Sequence, residues 1–189
     1  DGVSTASATS SALAFANAIN AVSGKTGVSA DAVTNYTNAV QTTGTIASND
    51  LVINGVNIGA VTLAAASGTE LQDAINAVSD STGVTAVLGS NNKLTLTAED
   101  GRNIVIATAN SGATISGLAA GTQRGGVKLT GGEGFTVADP SNRINISGAA
   151  TEGTDKVSTI DITTKDGANT AIDIIDRALS QINSRRAGI

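Results

Sequence analysis

Few residues in this chain have the types and spacing that chemistry requires. Gly131-Gly132-Glu133-Gly134 is glycine-rich in the manner of a phosphate-binding loop. It lacks the Lys-Ser/Thr that follows such a loop and has no strand-then-helix context, so it reads as a plain turn. Glu99, Asp100 and Asp161 are the carboxylates that would have to pair for hydrolysis or hold calcium. Their spacing is not that of an EF-hand, and carboxylates in turns ordinarily stay solvated. Asn35-Tyr36-Thr37 and Asn145-Ile146-Ser147 fit the N-glycosylation acceptor pattern and read as chance matches. The chain has no His and no Cys. That removes the Ser-His and Cys-His nucleophile arrangements and the ordinary zinc and iron sites. The expectation is a protein with no catalytic residue, no metal and no cofactor.

The elements that would position any site must be built from aliphatic residues. Hydrophobic residues make up 40% of the 189 positions, but aromatics only 2%. The core is therefore expected to be Val, Ile, Leu and Ala. Ser and Thr are roughly a quarter of the chain, well above ordinary usage, and Pro occurs once. The net charge of −5, with no basic run longer than Arg185-Arg186, argues against nucleic-acid binding. No apolar run approaches a membrane span. The absence of Cys suits an exported protein without a disulfide framework. The chain starts at Asp1-Gly2-Val3 with no signal-peptide pattern, and the expectation is a fragment of something longer, missing both ends.

A short repeat organises the first half. Ala18–Ser23 and Ala74–Ser79 both read AINAVS, and each is followed two residues later by Thr-Gly-Val. Phe15, Ala18, Ile19 and Val22 fall at i, i+3, i+4 and i+7, as do Leu71, Ala74, Ile75 and Val78. That spacing predicts two amphipathic helices, at about 8–23 and 69–80, with the same buried face. Ser67-Gly68-Thr69-Glu70 has capping-box spacing ahead of the second. Gly24 is the expected left-handed stop of the first, with Asp80 and then Gly83 at the end of the second. Two copies are too few for a solenoid and suggest a small unit used twice.

The period then switches to two. Asn54-Gly55 inside LVINGVNIGAVTL is a strong hairpin signal. KLTLTAEDGRNIVIA, turning at Asp100-Gly101, predicts a second hairpin. Weaker strand candidates are Val127–Leu129, Phe135–Val137, Ile144–Ile146 and Val157–Ile162. The fold class is α+β: β-rich with short hairpins and two short amphipathic helices, plus a C-terminal helix. The expected organisation is an outer subdomain over 1–110 with the two repeats, a variable β-rich segment over 111–165, and the start of a core helix over 166–189.

In that last segment Ile172, Ile175, Leu179 and Ile182 repeat at 3-4-3 spacing. They form one narrow stripe, the seam of a coiled coil, which wants a partner helix. No other segment offers a long matching seam.

These residues resemble a known family. INGVNIG (53–59), ELQDAINAVSDSTGVTA (70–86) and KLTLTAEDGRNIVI (93–106) look like the IN motif of bacterial flagellins and hook-associated proteins. AINAVSGKTGVSADAV (18–33) resembles a partial second copy without the leading INGV strand. AIDIIDRALSQINSRRAGI (171–189) resembles the start of the flagellin C-terminal helix. The resemblance implies an outward-facing region of an extracellular flagellar filament subunit, exported without a cleaved signal peptide and serving motility and surface antigenicity. It implies other flagellin subunits as partners of the full-length protein, and a fragment that is monomeric and does not polymerise. It also implies O-glycosylation at exposed hydroxyls, with Thr108, Ser111 and Thr114 as candidates. Toll-like receptor 5 is an implied partner, with Gln181, Asn183 and Arg185 as candidate contacts. No nucleic acid and no membrane are implied.

Three other readings stay open. A hook–filament junction or filament-cap protein shares the IN motif, and the sequence after Ile189 would separate it. An adhesin-type binding module is disfavoured by having only Phe15, Phe135 and Tyr36 as aromatic platforms. A carboxylate-based hydrolase would need paired buried carboxylates in a cleft.

Overall fold

The computed structural model describes residues 10–131, without the side chains of residues 38 and 39, and the single residues 162, 163, 168, 171, 172, 175 and 179. The first helix, α1 (Ala12–Asn20), begins where the buried Ser11 hydroxyl accepts the Ala14 N–H at 3.1 Å. A one-turn helix, α2 (Ser23–Thr26), follows, and it ends at Gly27 with φ of 69°. Gly24, the expected stop, lies inside α2. The chain then runs into β1 (Val28–Val40), a 13-residue strand. Sequence periodicity missed this strand, because its inward positions include Ala30 and Thr34 while Val33 points outward.

Short strands come next: β2 (Gly44–Ile46), β3 (Leu51–Ile53), β4 (Val56–Asn57) and β5 (Val61–Leu63). Asn54 and Gly55 have φ of 50° and 80°, so β3 and β4 form the expected hairpin through a primed turn. The second repeat supplies α3 (Glu70–Ala77), the turn α4 (Ser79–Thr82) and β6 (Thr85–Leu88). Its N-cap is Thr69, not Ser67. The Thr69 hydroxyl reaches Asp73 at 3.0 Å instead of closing a capping box. Five elements follow to residue 131: β7 (Lys93–Ala98), β8 (Ile104–Thr108), α5 (Gly112–Ser116), β9 (Gly121–Gln123) and β10 (Gly126–Gly131).

Among the described residues every strand pairing is antiparallel. The sheets run β10-β1-β7-β6, β2-β5 and β4-β3-β8-β9. The fold is thus the expected β-rich α+β class. The expected hairpin at Asp100-Gly101 does not form. Both edges of β7 are taken, by β1 and β6, while β8 pairs with β3 and β9. The turn carries the chain from one sheet to another.

Two clusters of buried side chains follow from this topology. The main core packs Leu71 and Ile75 of α3 against Leu51, Ile53, Leu94, Leu96, Ile104 and Leu118. A smaller one holds Ala12, Ala16, Ala30, Val127 and Leu129, with Phe15 and Ile19 partly buried. Here the two helices differ from expectation. α3 buries the predicted face, but α1 turns Ala12 and Ala16 inward and leaves Ala18 and Val22 exposed. The reason lies in what each helix covers. α3 closes over the large core, while α1 rests on β1 and β10 over a smaller cluster, with Phe15 and Ile19 only partly buried at its margin. β1 joins the clusters, pairing through Val28–Val33 with β10 and through Thr34–Val40 with β7.

The strand candidates at 135–137 and 144–146 lie outside the described residues, as does all but Ile162 of 157–162. Of the C-terminal segment, Ala168, Ala171, Ile172, Ile175 and Leu179 have helical backbone, and no further element of it falls among the described residues.

Candidate functional site

The sequence repeat is a structural repeat, and one asparagine in each copy holds it together. Asn20 Nδ2 donates to the Ala30 carbonyl at 2.8 Å, and the Ala30 N–H donates to Asn20 Oδ1 at 2.8 Å. In the second copy Asn76 Nδ2 donates to the Ala86 carbonyl at 3.0 Å, and the Ala86 N–H returns to Asn76 Oδ1 at 2.8 Å. A carboxamide carries one acceptor and a double donor, so it can satisfy both backbone groups of one strand residue. The Thr-Gly-Val turns also match. The hydroxyls of Thr26 and Thr82 donate to the Val22 and Val78 carbonyls and accept from Val28 and Val84 N–H, at 3.1–3.2 Å. Gly27 and Gly83 both take left-handed backbone.

The clamp has a second consequence. Among the described residues β6 is the last strand of its sheet, so no described strand pairs with its outer backbone groups. Asn76 takes both groups of Ala86, and Gln72 Oε1 accepts the Leu88 N–H at 2.7 Å. Side chains of α3 thereby seal an edge that would otherwise invite another strand.

The second copy is locked further. Asn54, only 7% exposed, accepts the Val105 N–H on Oδ1 at 2.8 Å and donates from Nδ2 to the Thr82 carbonyl at 2.8 Å. It ties the β3–β4 hairpin tip to β8 and to the Thr-Gly-Val turn. Arg102 lies over Gly83, where any Cβ would collide with its guanidinium. Its NH1 approaches the Thr82 carbonyl at 3.4 Å, and its Nε and NH2 grip the Asp100 carboxylate at 2.6–3.1 Å. Burial pushes the Asp100 carboxyl up, but the Arg102 hydrogen bonds and charge, with a backbone N–H, outweigh it. The net effect holds Asp100 below its ordinary range. Of the candidate carboxylates, Asp100 is thus held in an ion pair with Arg102, Glu99 is exposed, and Asp161 lies outside the described residues. At Gly27, by contrast, nothing lies within 4 Å of a Cβ.

The solvent face of the β1-β7-β6 sheet carries Asn35, Thr37, Thr85, Val87, Thr95 and Thr97. Thr37 and Thr95 pair their hydroxyls at 3.1 Å, and Thr97 donates to Asn35 Oδ1 at 2.9 Å. Cross-strand Thr pairs stabilise a sheet while keeping its surface hydrated. Asn35, the first apparent N-glycosylation position, is therefore a strand residue with its amide oxygen engaged.

Thr108, Ser111 and Thr114 lie at the end of a strand, in the turn after it and in the helix that follows. Thr108 ends β8 opposite Leu51. Ser111 precedes α5 and donates to the Thr45 carbonyl at 3.1 Å. Thr114 is an exposed residue of α5. Ile172, Ile175 and Leu179 of the stripe are 59%, 46% and 52% exposed, while Ala171 beside them is 5% exposed. Ile182, Gln181, Asn183 and Arg185 lie outside the described residues. Among the described residues no group of three or more acidic side chains is placed to hold a metal, and no helix is long and apolar enough to cross a membrane.

Sequence reasoning found the repeat but not the work of its asparagines. The signal was present, since Asn20 and Asn76 occupy the same place in AINAVS.

Residues 50–100, the unit from Asp50 to the β7 turn, match the family model described as the Flagellin hook IN motif. The chain is also similar to a B-type flagellin of Pseudomonas aeruginosa, with 25% identity covering 71% of this chain and 33% of that protein. It spans about a third of the length of that relative.

Proposed function

We propose that this flagellin-like chain supplies an outward-facing part of a structural subunit of the bacterial flagellar filament. The observation that carries this reading is the IN-motif match, which falls on a hairpin–helix–strand unit held by Asn54 and Asn76. In this reading the chain catalyses nothing. Its 1–110 region and the 111–165 segment form the surface displayed to solvent. The segment over 166–189 leads back to the helices that assemble, with Ile172, Ile175, Leu179 and Ile182 as the seam for other subunits. The exposure of the first three supports that role. Thr108, Ser111 and Thr114 take O-linked sugars. Gln181, Asn183 and Arg185 are the residues through which Toll-like receptor 5 would contact the full-length protein.

Immunogold labelling of intact cells with antibodies against residues 10–131 tests the reading. Gold along the whole filament is the expected result. Gold confined to the hook–filament junction or the tip would favour a hook-associated protein instead. Gold on the cell body alone would favour an adhesin and overturn the proposal.

A further inference from the structure

Asn54-Gly55 is the one Asn-Gly dipeptide in the chain. This pair is chemically the least protected of asparagine sequences, because glycine places no side chain in the path of its own backbone nitrogen. In an open chain the Gly55 nitrogen attacks Asn54 Cγ. A bond forms between them, the Cγ–Nδ2 bond breaks, and ammonia leaves with the proton from the Gly55 N–H. Water then opens the resulting succinimide at either carbonyl, giving aspartate or isoaspartate. Nothing is oxidised or reduced; water enters and ammonia leaves.

The fold opposes the first step at the Asn54 side chain. The Asn54 carboxamide is 7% exposed, and its two polar atoms point away from the following peptide, to Thr82 and Val105. Its own N–H is fixed to the Val105 carbonyl at 2.9 Å. To bring Cγ onto the Gly55 nitrogen, both side-chain hydrogen bonds must break and the primed turn must open. We propose that Asn54-Gly55 is a latent deamidation site, silenced by folding and released whenever the hairpin opens. The reaction then acts as a one-way record. An aspartate at 54 can still accept from Val105, but its carboxylate cannot donate to the Thr82 carbonyl. An isoaspartate also adds a methylene to the turn and displaces the β3–β8 register. A chain modified while unfolded therefore refolds without its lock.

Peptide mapping by mass spectrometry tests this on the wild-type chain, incubated at mildly alkaline pH with and without denaturing urea. In urea, the peptide holding residue 54 should gain the deamidation mass shift before any other asparagine-containing peptide. Without urea its rate should be at least about tenfold lower, because reaction then waits on local opening. In urea, where folding is irrelevant, Gly55→Ala should slow the shift at residue 54, since a methyl group now blocks the attack. The modified pool, returned to native buffer, should unfold at lower urea than the unmodified chain. Equal rates at residue 54 with and without urea would overturn the proposal. So would a urea-state reaction that prefers other asparagines, or a modified pool as stable as the original.

Discussion

Replacing Asn76 with alanine removes the clamp of the second repeat while leaving α3 otherwise intact. Two hydrogen bonds disappear, each with a net worth of about 1 kcal/mol. Alanine returns about 0.6 kcal/mol through better helix propensity. The balance alone gives about 1.4 kcal/mol of destabilisation. Ala86 is 2% exposed, so its N–H and carbonyl are left without a partner on the closed side of β6, which moves the figure towards about 3 kcal/mol. Asn20→Ala breaks the same pair of bonds, but Asn20 is an exposed residue beside the smaller cluster. Its partner Ala30 is 3% exposed, as closed off as Ala86, so the cost should again lie between about 1.4 and about 3 kcal/mol, at the lower end because water reaches the Asn20 side chain.

Urea unfolding followed by far-ultraviolet circular dichroism measures both. The midpoint should fall in each variant with little change in slope, and further for Asn76→Ala. Asn76→Asp separates hydrogen bonding from packing, because it keeps the shape and the acceptor but loses the donor. It also sets a negative charge near the C-terminal end of α3, which the helix dipole opposes. At neutral pH it should destabilise at least as much as alanine. An Asn76→Asp chain as stable as wild type, or an Asn20 variant weaker than its Asn76 counterpart, would refute the clamp argument.

Asp100→Asn should flatten the acid limb of the stability curve. A carboxyl held below its ordinary range contributes stability above the unfolded pKa, and that contribution fades as pH falls through the folded value. The effect should be at most about 1 kcal/mol near neutrality, because the Asp100 side chain is 37% exposed, and midpoints at pH 7 and pH 3 measure it. Gly101→Ala should cost about 2–4 kcal/mol, since φ is +76° and the new methyl would strike Ala32. Gly24→Ala, inside α2 with nothing within 4 Å, should instead stabilise by about 0.5–1 kcal/mol, and the same urea titrations compare the two. Changing Ile172, Ile175 and Leu179 together to serine should leave the unfolding midpoint unchanged while abolishing filament assembly of the full-length protein, scored by electron microscopy.

What was legible in the sequence was whatever one strong local signal controlled. Asn54-Gly55 dictated a primed turn because only such residues accept positive φ at both central positions. Leu71 and Ile75 announced a helix face because their spacing and bulk agree. β1 was not legible, since Ala, Thr and an outward Val33 blur its alternation, and β6 has only four residues. The failed hairpin at Asp100-Gly101 shows a different limit. Alternation on both sides of a turn establishes two strands, but pairing depends on which edges other strands already occupy, and β1 reaches β7 from some sixty residues away (Thr37 opposite Thr95). The asparagine clamps share that limit. Each links residues ten apart, so its chemistry was visible only once helix and strand had been placed together.

The two copies also show how one short motif yields different stability from its surroundings. Helix, turn and strand obey the same hydrogen bonds in both, so the motif itself specifies a local shape. The first copy adds only α1 against β1 and β10, over a small cluster of five buried residues, and an open Gly27 turn. The second adds the Asn54 hairpin, Arg102 over Gly83 and the large core. Local openings should therefore begin at the first copy, and amides of α1 should exchange faster than those of α3. This order matters for the latent site at Asn54, which sits in the better-protected copy. Hydrogen exchange measured with the deamidation assay should find residue 54 opening with α3 and β8. If α1 and the Asn54 hairpin opened together, the two copies would form one cooperative unit and this division would be wrong.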